Sequence, residues 1–236
     1  MNEFGAAFAW LTDPSHWQGA GSIPTRIAEH LGVTALAVVL AALVAIPLGV
    51  LIGHTRRGSG LMGAFTGAAR AIPTLGILTL FGLALGIGLR APLVALIILA
   101  IPSLLAGAYS GIQAVDPTIP NAAKAIGMSP WQVIRSVEVP LALPVILGGL
   151  RSATLQVVST ATLAAYVADA GLGRYLFAGL KSRDYVQMLA GAILVTALAL
   201  LLELILALCQ RLAAQRANPA AHIRLKNPQH SGKDPA

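Results

Sequence analysis

Nothing in this chain has the spacing of a covalent catalyst. Its histidines stand apart at 16, 30, 54, 222 and 230, with no His-Glu-x-x-His pair for a metal and no Gly-x-Ser-x-Gly turn for a nucleophile. Gly179-Leu180-Lys181-Ser182 lacks the glycine beside the lysine that a phosphate-cradling loop requires. The single cysteine, Cys209, lies in an apolar run, so no intrachain disulfide can form. The chain therefore reads as a non-enzyme, with no catalytic residue, no metal and no cofactor. Its informative residues are two charges in apolar surroundings, Arg151 and Glu203, and a short segment around Gly127. Counted from span ends near Pro144 and Arg211, the two charges lie about 11 and 12 Å deep at 1.5 Å per residue. An isolated charge at such depth is costly and usually finds a partner. Arg151 and Glu203 are expected to pair or to line an inner cavity; failing that, Arg151 would snorkel to the interface.

The segment from Val115 to Pro144 carries paired start and stop signals. Asp116-Pro117 reads as an N-cap followed by a first-turn proline, and Ala122 to Ile126 continue a helix. Gly127 fits a left-handed stop. Ser129-Pro130-Trp131-Gln132 opens a second helix with a capping box, and Pro140 and Pro144 punctuate entry into the next span. The expectation is two short helices meeting at a glycine outside the bilayer. Ala122 and Ala123 give a shallow face, and Ile126, Met128 and Trp131 an apolar knob beside it. From its residues alone the hairpin is either a docking element or a connector.

The elements that must hold these residues are membrane spans. Of 236 residues 56% are hydrophobic and only 11% charged, whereas soluble domains carry roughly 25% charged residues. That excludes an ordinary cytosolic enzyme and a disordered chain. Aromatics at 5% argue against a stacking nucleic-acid binder. Apolar runs cover Leu31–Gly53, Ala71–Leu89, Ala91–Ile112, Val139–Ala168 and Tyr185–Gln210. Each approaches the 20 or so residues that cross a hydrocarbon core, so about five transmembrane helices are expected in an all-α polytopic membrane protein. Pro47, Pro73 and Pro102 are expected to break or end spans one, two and three. Gly49/Gly53, Gly82/Gly86 and Gly107/Gly111 would allow close helix contact.

Residues 1–25 read as an N-terminal amphipathic, interfacial segment with Trp10 and Trp17 at headgroup level. Met1 to Trp10 has no basic residue, unlike a secretory signal. With the N-terminus outside, the inner segments hold ten Lys and Arg and the outer ones five, so the C-terminus is expected in the cytoplasm. Residues 213–236 read as a disordered basic cytoplasmic tail.

Asn121-Ala122-Ala123-Lys124-Ala125-Ile126-Gly127, then nine residues, then Val137-Glu138-Val139-Pro140 resembles the EAA loop of binding-protein-dependent ABC importer permeases. That pattern is Glu-Ala-Ala, three residues, Gly, nine residues, Ile-x-Leu-Pro. Asn121 stands where the pattern has Glu, removing a charge that would contact the ATPase, and Val137 and Val139 are mild swaps. The resemblance covers roughly residues 26–212. It implies the type I permease fold, with coupling helices over 116–138 that seat in a separate ATP-hydrolysing subunit through Asn121, Ala122, Ala123, Ile126, Gly127, Met128 and Trp131. It also implies as partners a dimer of that ATPase, a second permease subunit, identical or paralogous, and an extracytoplasmic substrate-binding protein. Localisation would be the cell inner membrane.

Ile72-Pro73-Thr74-Leu75, Gly86-Ile87-Gly88, Tyr109-Ser110-Gly111-Ile112 and Gly171 to Leu180 are similar to permeases for glycine betaine, choline and carnitine. Ala106-Gly107 stands where that subfamily often has Arg-Asn. Methionine or another small solute is the alternative cargo, and a scaffold or channel without ATP coupling the alternative class. The segment with Gly171, Gly173, Tyr175 and Gly179 then reads as an outer gate or binding-protein contact, or else as a packed loop. Aromatics in the spans are few, chiefly Phe81, Tyr109 and Tyr166. A cation–π cage is therefore expected on the binding protein, with no tight site in this subunit.

Overall fold

The computed structural model describes residues 3–56, 60, 63–64, 67 and 73–217, and among them the secondary structure is entirely helical. A backbone in lipid must satisfy its own polar groups, and continuous apolar runs do so as helices. Helix α1 is Glu3–Thr12, followed by a 3-10 turn at Pro14–Trp17. The long helices are α2 (Ile23–Thr55), α4 (Arg90–Gln113), α7 (Val139–Thr160) and α10 (Tyr185–Ala217). Between them lie α3 (Thr74–Leu85), α5 (Thr118–Ala125), α6 (Pro130–Val133), α8 (Ala164–Val167) and α9 (Gly173–Ser182). A π-helical turn, Ile134–Glu138, joins α6 to α7, and a 3-10 turn, Ala161–Leu163, joins α7 to α8.

Four stretches among the described residues are long and apolar enough to cross a membrane: Ile23–Thr55, Arg90–Gln113, Pro130–Val167 and Tyr185–Ala217. The fifth expected span, Ala71–Leu89, is helical only over Thr74–Leu85 among the described residues, and Ala71 and Ile72 lie outside them. Twelve residues rise about 18 Å, short of the roughly 30 Å core. Pro73 is the extended residue that caps α3, and Gly86 (φ +79°) and Gly88 (φ +134°) turn the chain left-handed after it.

Helix α4 is the axis of the bundle. Leu96, Ala100 and Leu104 pack with Ala37, Ala41 and Ala45 of α2 and with Ala153 and Val157 of α7. Contact is close because small residues face each other. A side chain on Gly49 would meet Ala108 and the Leu105 carbonyl, and one on Gly53 would meet Ile112. At the α4–α7 crossing Gly107 faces Gly149 backbone to backbone. The pair Gly82/Gly86 plays no such part: the nearest atoms to a side chain on Gly82 would be Val167 at 3.8 Å, and Gly86 has open space.

The expected helix breaks also resolve differently. Pro47 and Pro102 lie inside continuous helices, where each leaves the carbonyl four residues earlier without its usual donor. Of the three expected breaks, only Pro73 marks a helix boundary. Pro140 occupies the first turn of α7 and Pro144 its interior. The second hairpin helix is therefore no separate unit but the N-terminal extension of the third long stretch. The π-helical turn accommodates the register change ahead of Pro140.

Helix α10 packs on α7 and carries α1 and α9. Its Leu200, Leu204, Ile205 and Leu208 form an exposed apolar face. Helix α1 lies against α10 with Ala7 buried and Phe4 and Phe8 exposed. Trp10 stacks on His16 at 3.8 Å and meets Tyr175 edge-on at 5.2 Å. Trp17 is half exposed and donates Nε1–H to the Leu11 carbonyl.

Candidate functional site

The hairpin beyond α4 is built by local capping. Asp116 accepts from the backbone N–H and hydroxyl of Thr118 at 2.9 and 2.8 Å, which holds its carboxyl below the usual carboxylate range. Helix α5 then starts at Thr118, one residue later than a proline-first reading predicts. At its end Gly127 adopts φ +93°. The Gly127 N–H donates to the Lys124 carbonyl and the Met128 N–H to the Ala123 carbonyl, at 3.0 and 3.1 Å. These two bonds are a Schellman stop. Ser129 and Gln132 form the reciprocal capping box, with bonds of 2.8 and 3.4 Å.

This geometry aims the apolar residues outward. Ile126 is 82% exposed and Trp131 68%. Asn121, Ala122 and Gly127 are exposed, Met128 is half-buried, and Ala123 turns inward. Large apolar side chains left exposed between two rigid caps form a surface that another protein can cover.

The second candidate site is the ion pair. Arg151 on α7 grips Glu203 on α10 bidentately: Nε donates to Oε2 at 2.8 Å, and Nη2 to Oε1. A third arm, which the sequence reading missed, is Gln210. It accepts from Arg151 Nη1 and donates to the Pro144 carbonyl, both at 3.1 Å. Gly148 leaves the room, since a side chain there would strike Gln210 Nε2. Arg151 and Glu203 are each about one-third exposed, 34% and 30%, so the pair lies at the flank of the bundle rather than in its core. Exchanging the charges (Arg151→Glu with Glu203→Arg) is expected to recover much of the thermal stability in detergent that either single change loses. If the double variant melts no higher than the single ones, the pair contributes nothing as a pair.

The four residues expected at a gate or contact around α9, Gly171, Gly173, Tyr175 and Gly179, are buried rather than presented. Gly171 (φ +76°) donates its N–H to Glu29 at 2.8 Å, and a side chain there would meet His30. Gly173 abuts the Thr162 carbonyl, and Gly179 abuts the backbone of Asp184 and Met188. Tyr175 is buried and donates its hydroxyl proton to the Gly21 carbonyl at 2.7 Å. Alongside, Arg26 bonds Glu29 and the Asp169 carbonyl at 2.9 Å, and Arg174 pairs with Asp169 at 3.0 Å. This latch pins the segment before α9 to the start of α2. Its partners lie 143 positions apart, so no local signal in the sequence announces it.

Long apolar helices packed around α4, with a capped hairpin at one end, are the architecture of a multi-pass membrane protein. The chain belongs to the family described as binding-protein-dependent transport system inner membrane component, which it matches over residues 45–218. It is 37% identical over 191 residues to the glycine betaine/carnitine/choline transport system permease protein OpuCB of Bacillus subtilis (strain 168), covering 81% of this chain and 88% of that one. It is 35% identical over 206 residues to the choline transport system permease protein OpuBB of the same organism, covering 87% and 93%. Among solved structures, an inward-facing MetNI methionine ABC transporter chain superposes with a TM-score of 0.70 at 21% identity, covering 86% of this chain and 99% of that chain. The fold is thus that of an ABC importer permease.

Proposed function

We propose that this chain is the permease subunit of an ATP-driven importer for quaternary-amine osmoprotectants of the glycine betaine, choline and carnitine class. The carrying observation is the capped hairpin, which leaves Ile126 and Trp131 exposed where a partner can seat them. That partner is an ATPase present as two copies. It closes around ATP and moves the hairpin as a lever, switching the bundle between two rigid-body states. A second permease subunit completes the pathway.

The hairpin faces the cytoplasm and the N-terminus lies outside, in line with the Lys and Arg count. Of the residues counted, Arg57, Arg70, Arg224, Lys226 and Lys233 lie outside the described residues. The tail expected over residues 213–236 begins later than expected, since α10 stays helical through Ala217; residues 218–236 lie outside the described residues. On the opposite side the loaded binding protein docks near α9, through exposed Arg174, Leu180 and Lys181. Gly171, Gly173, Tyr175 and Gly179 hold the gate's shape from beneath. The cargo class is supported by the two curated relatives, whose names specify these solutes. Arg151 and Glu203 brace α7 against α10 at the flank of the bundle.

The test is uptake in proteoliposomes containing this permease with its ATPase and binding protein. ATP-dependent accumulation of labelled betaine, choline or carnitine is expected. Accumulation of methionine alone would overturn the cargo, and failure of any ATPase to bind the permease would overturn the transporter reading. Submicromolar betaine binding to the isolated permease would contradict the expectation that the cage belongs to the binding protein.

A further inference from the structure

Both roots of the hairpin are tied to the same place, the last turn of α2. At the first root Arg56, which caps α2 in a left-handed conformation (φ 52°), donates from Nη2 to the Val115 carbonyl at 2.9 Å. At the second root the Glu138 carboxylate accepts from His54 Nδ1 at 2.6 Å. Glu138 is only 4% exposed, and among the described residues His54 is its hydrogen-bonded side-chain partner. A buried carboxylate left without a partner is strongly unfavourable, so the contact is firmly held. Gly53, one residue before His54, lets α2 approach Ile112 so closely that a side chain there would collide. The end of α2 is therefore a fixed post beside α4, and the hairpin is strapped to it on both sides.

The second strap falls at a weak point. Glu138 is the last residue of the π-helical turn, where the Val139 N–H bonds back to Ile134 rather than to Arg135. A π-turn breaks the regular ladder, so a force on the hairpin can be absorbed by the joint instead of reaching the spans. A side-chain bond from outside the helix removes that slack.

We propose that His54 and Glu138 are positioning residues of the transport cycle: their bond carries hairpin movement across the π-turn into α2, so that ATP hydrolysis moves the pathway. The proposal rests on the hairpin being the ATPase-coupling element and adds the route by which its motion enters the bundle. Both side chains are mostly buried, whereas Ile126 and Trp131 are exposed. Losing the bond therefore separates hydrolysis from uptake without releasing the ATPase.

The experiment measures uptake and ATP hydrolysis together in the reconstituted importer for wild type, His54→Ala, Glu138→Leu and the double variant; leucine at 138 keeps the volume but has no oxygen to accept from His54. In each variant ATPase binding and hydrolysis are expected to persist. Solute imported per ATP is expected to fall about five-fold, within the range by which residues on a coupling route alter coupling. The double variant is expected to be no worse than either single one. His54→Gln, which keeps an N–H donor, is expected to recover part of the ratio and stands in if His54→Ala does not fold. An unchanged ratio in folded His54→Ala and Glu138→Leu overturns the proposal. So does a loss of uptake that only tracks the amount of folded protein. If wild type binds no ATPase, the functional reading itself fails, and that outcome is visible before any variant is compared.

Discussion

Changing Ile126 to aspartate together with Trp131 to alanine is expected to abolish recovery of the ATPase with this chain while leaving the bundle folded. Both side chains are mostly exposed, at 82% and 68%, so removing them opens no cavity and the melting temperature in detergent should hold. An anchor at the centre of an interface costs about 2 kcal/mol or more on truncation, roughly thirty-fold in affinity. An aspartate at 126 adds a charge that the partner's apolar groove must desolvate. The readouts are pull-down of the ATPase and uptake by the reconstituted importer. A companion variant, Gly127→Val, keeps the anchors but forces a β-branched residue to φ +93°, at a cost of about 1–2 kcal/mol. It should weaken the same association by re-aiming the knob. Full ATPase recovery with Ile126→Asp/Trp131→Ala would mean that the contact surface lies elsewhere.

Gly107→Leu is expected to prevent assembly of the bundle. A first side-chain carbon at Gly107 would lie 2.6 Å from the Gly149 Cα and 3.1 Å from its nitrogen. Those are backbone atoms and cannot rotate away. Inserting methylenes into a tight core costs about 1–3 kcal/mol where side chains can yield, and here the two helices must part. That separation would also strip the neighbouring contacts of Leu104 and Ala153. Gly32→Ala is the control: it has nothing within 4 Å and gains about 1 kcal/mol of helix propensity. Size-exclusion profiles and melting temperatures in detergent report both. A monodisperse Gly107→Leu protein melting with wild type would contradict the crossing.

Gly107 acquires a physical sense from this contact. A glycine facing Gly149 lets α4 and α7 touch at backbone distance. A polar or basic side chain at 107 needs a wider crossing.

What the sequence by itself determined is local. The Schellman glycine, the capping box and the Asp116 cap involve residues at most five apart, and short-range hydrogen-bond chemistry dictates them before any packing occurs. Arg151 and Glu203 were also legible, because lipid penalises an isolated charge and few charges exist at matching depth. Helical class followed from unbroken apolar runs for the same solvent reason.

Only the tertiary structure decided which glycines matter, since a glycine's role depends on what stands opposite it: Gly107 faces Gly149, whereas Gly86 faces open space. It shortened the second apolar run, because hydropathy counts residues while helix ends depend on dihedrals that Gly86 and Gly88 adopt only in place. It fused the second hairpin helix to the following span through a π-turn that prolines alone do not announce. It also brought His54 to Glu138 across 84 positions and Arg26 to Asp169 across 143. Such pairs carry no periodicity to read; they exist because packed helices set distant residues side by side, and the hairpin's attachment to the bundle is made of them.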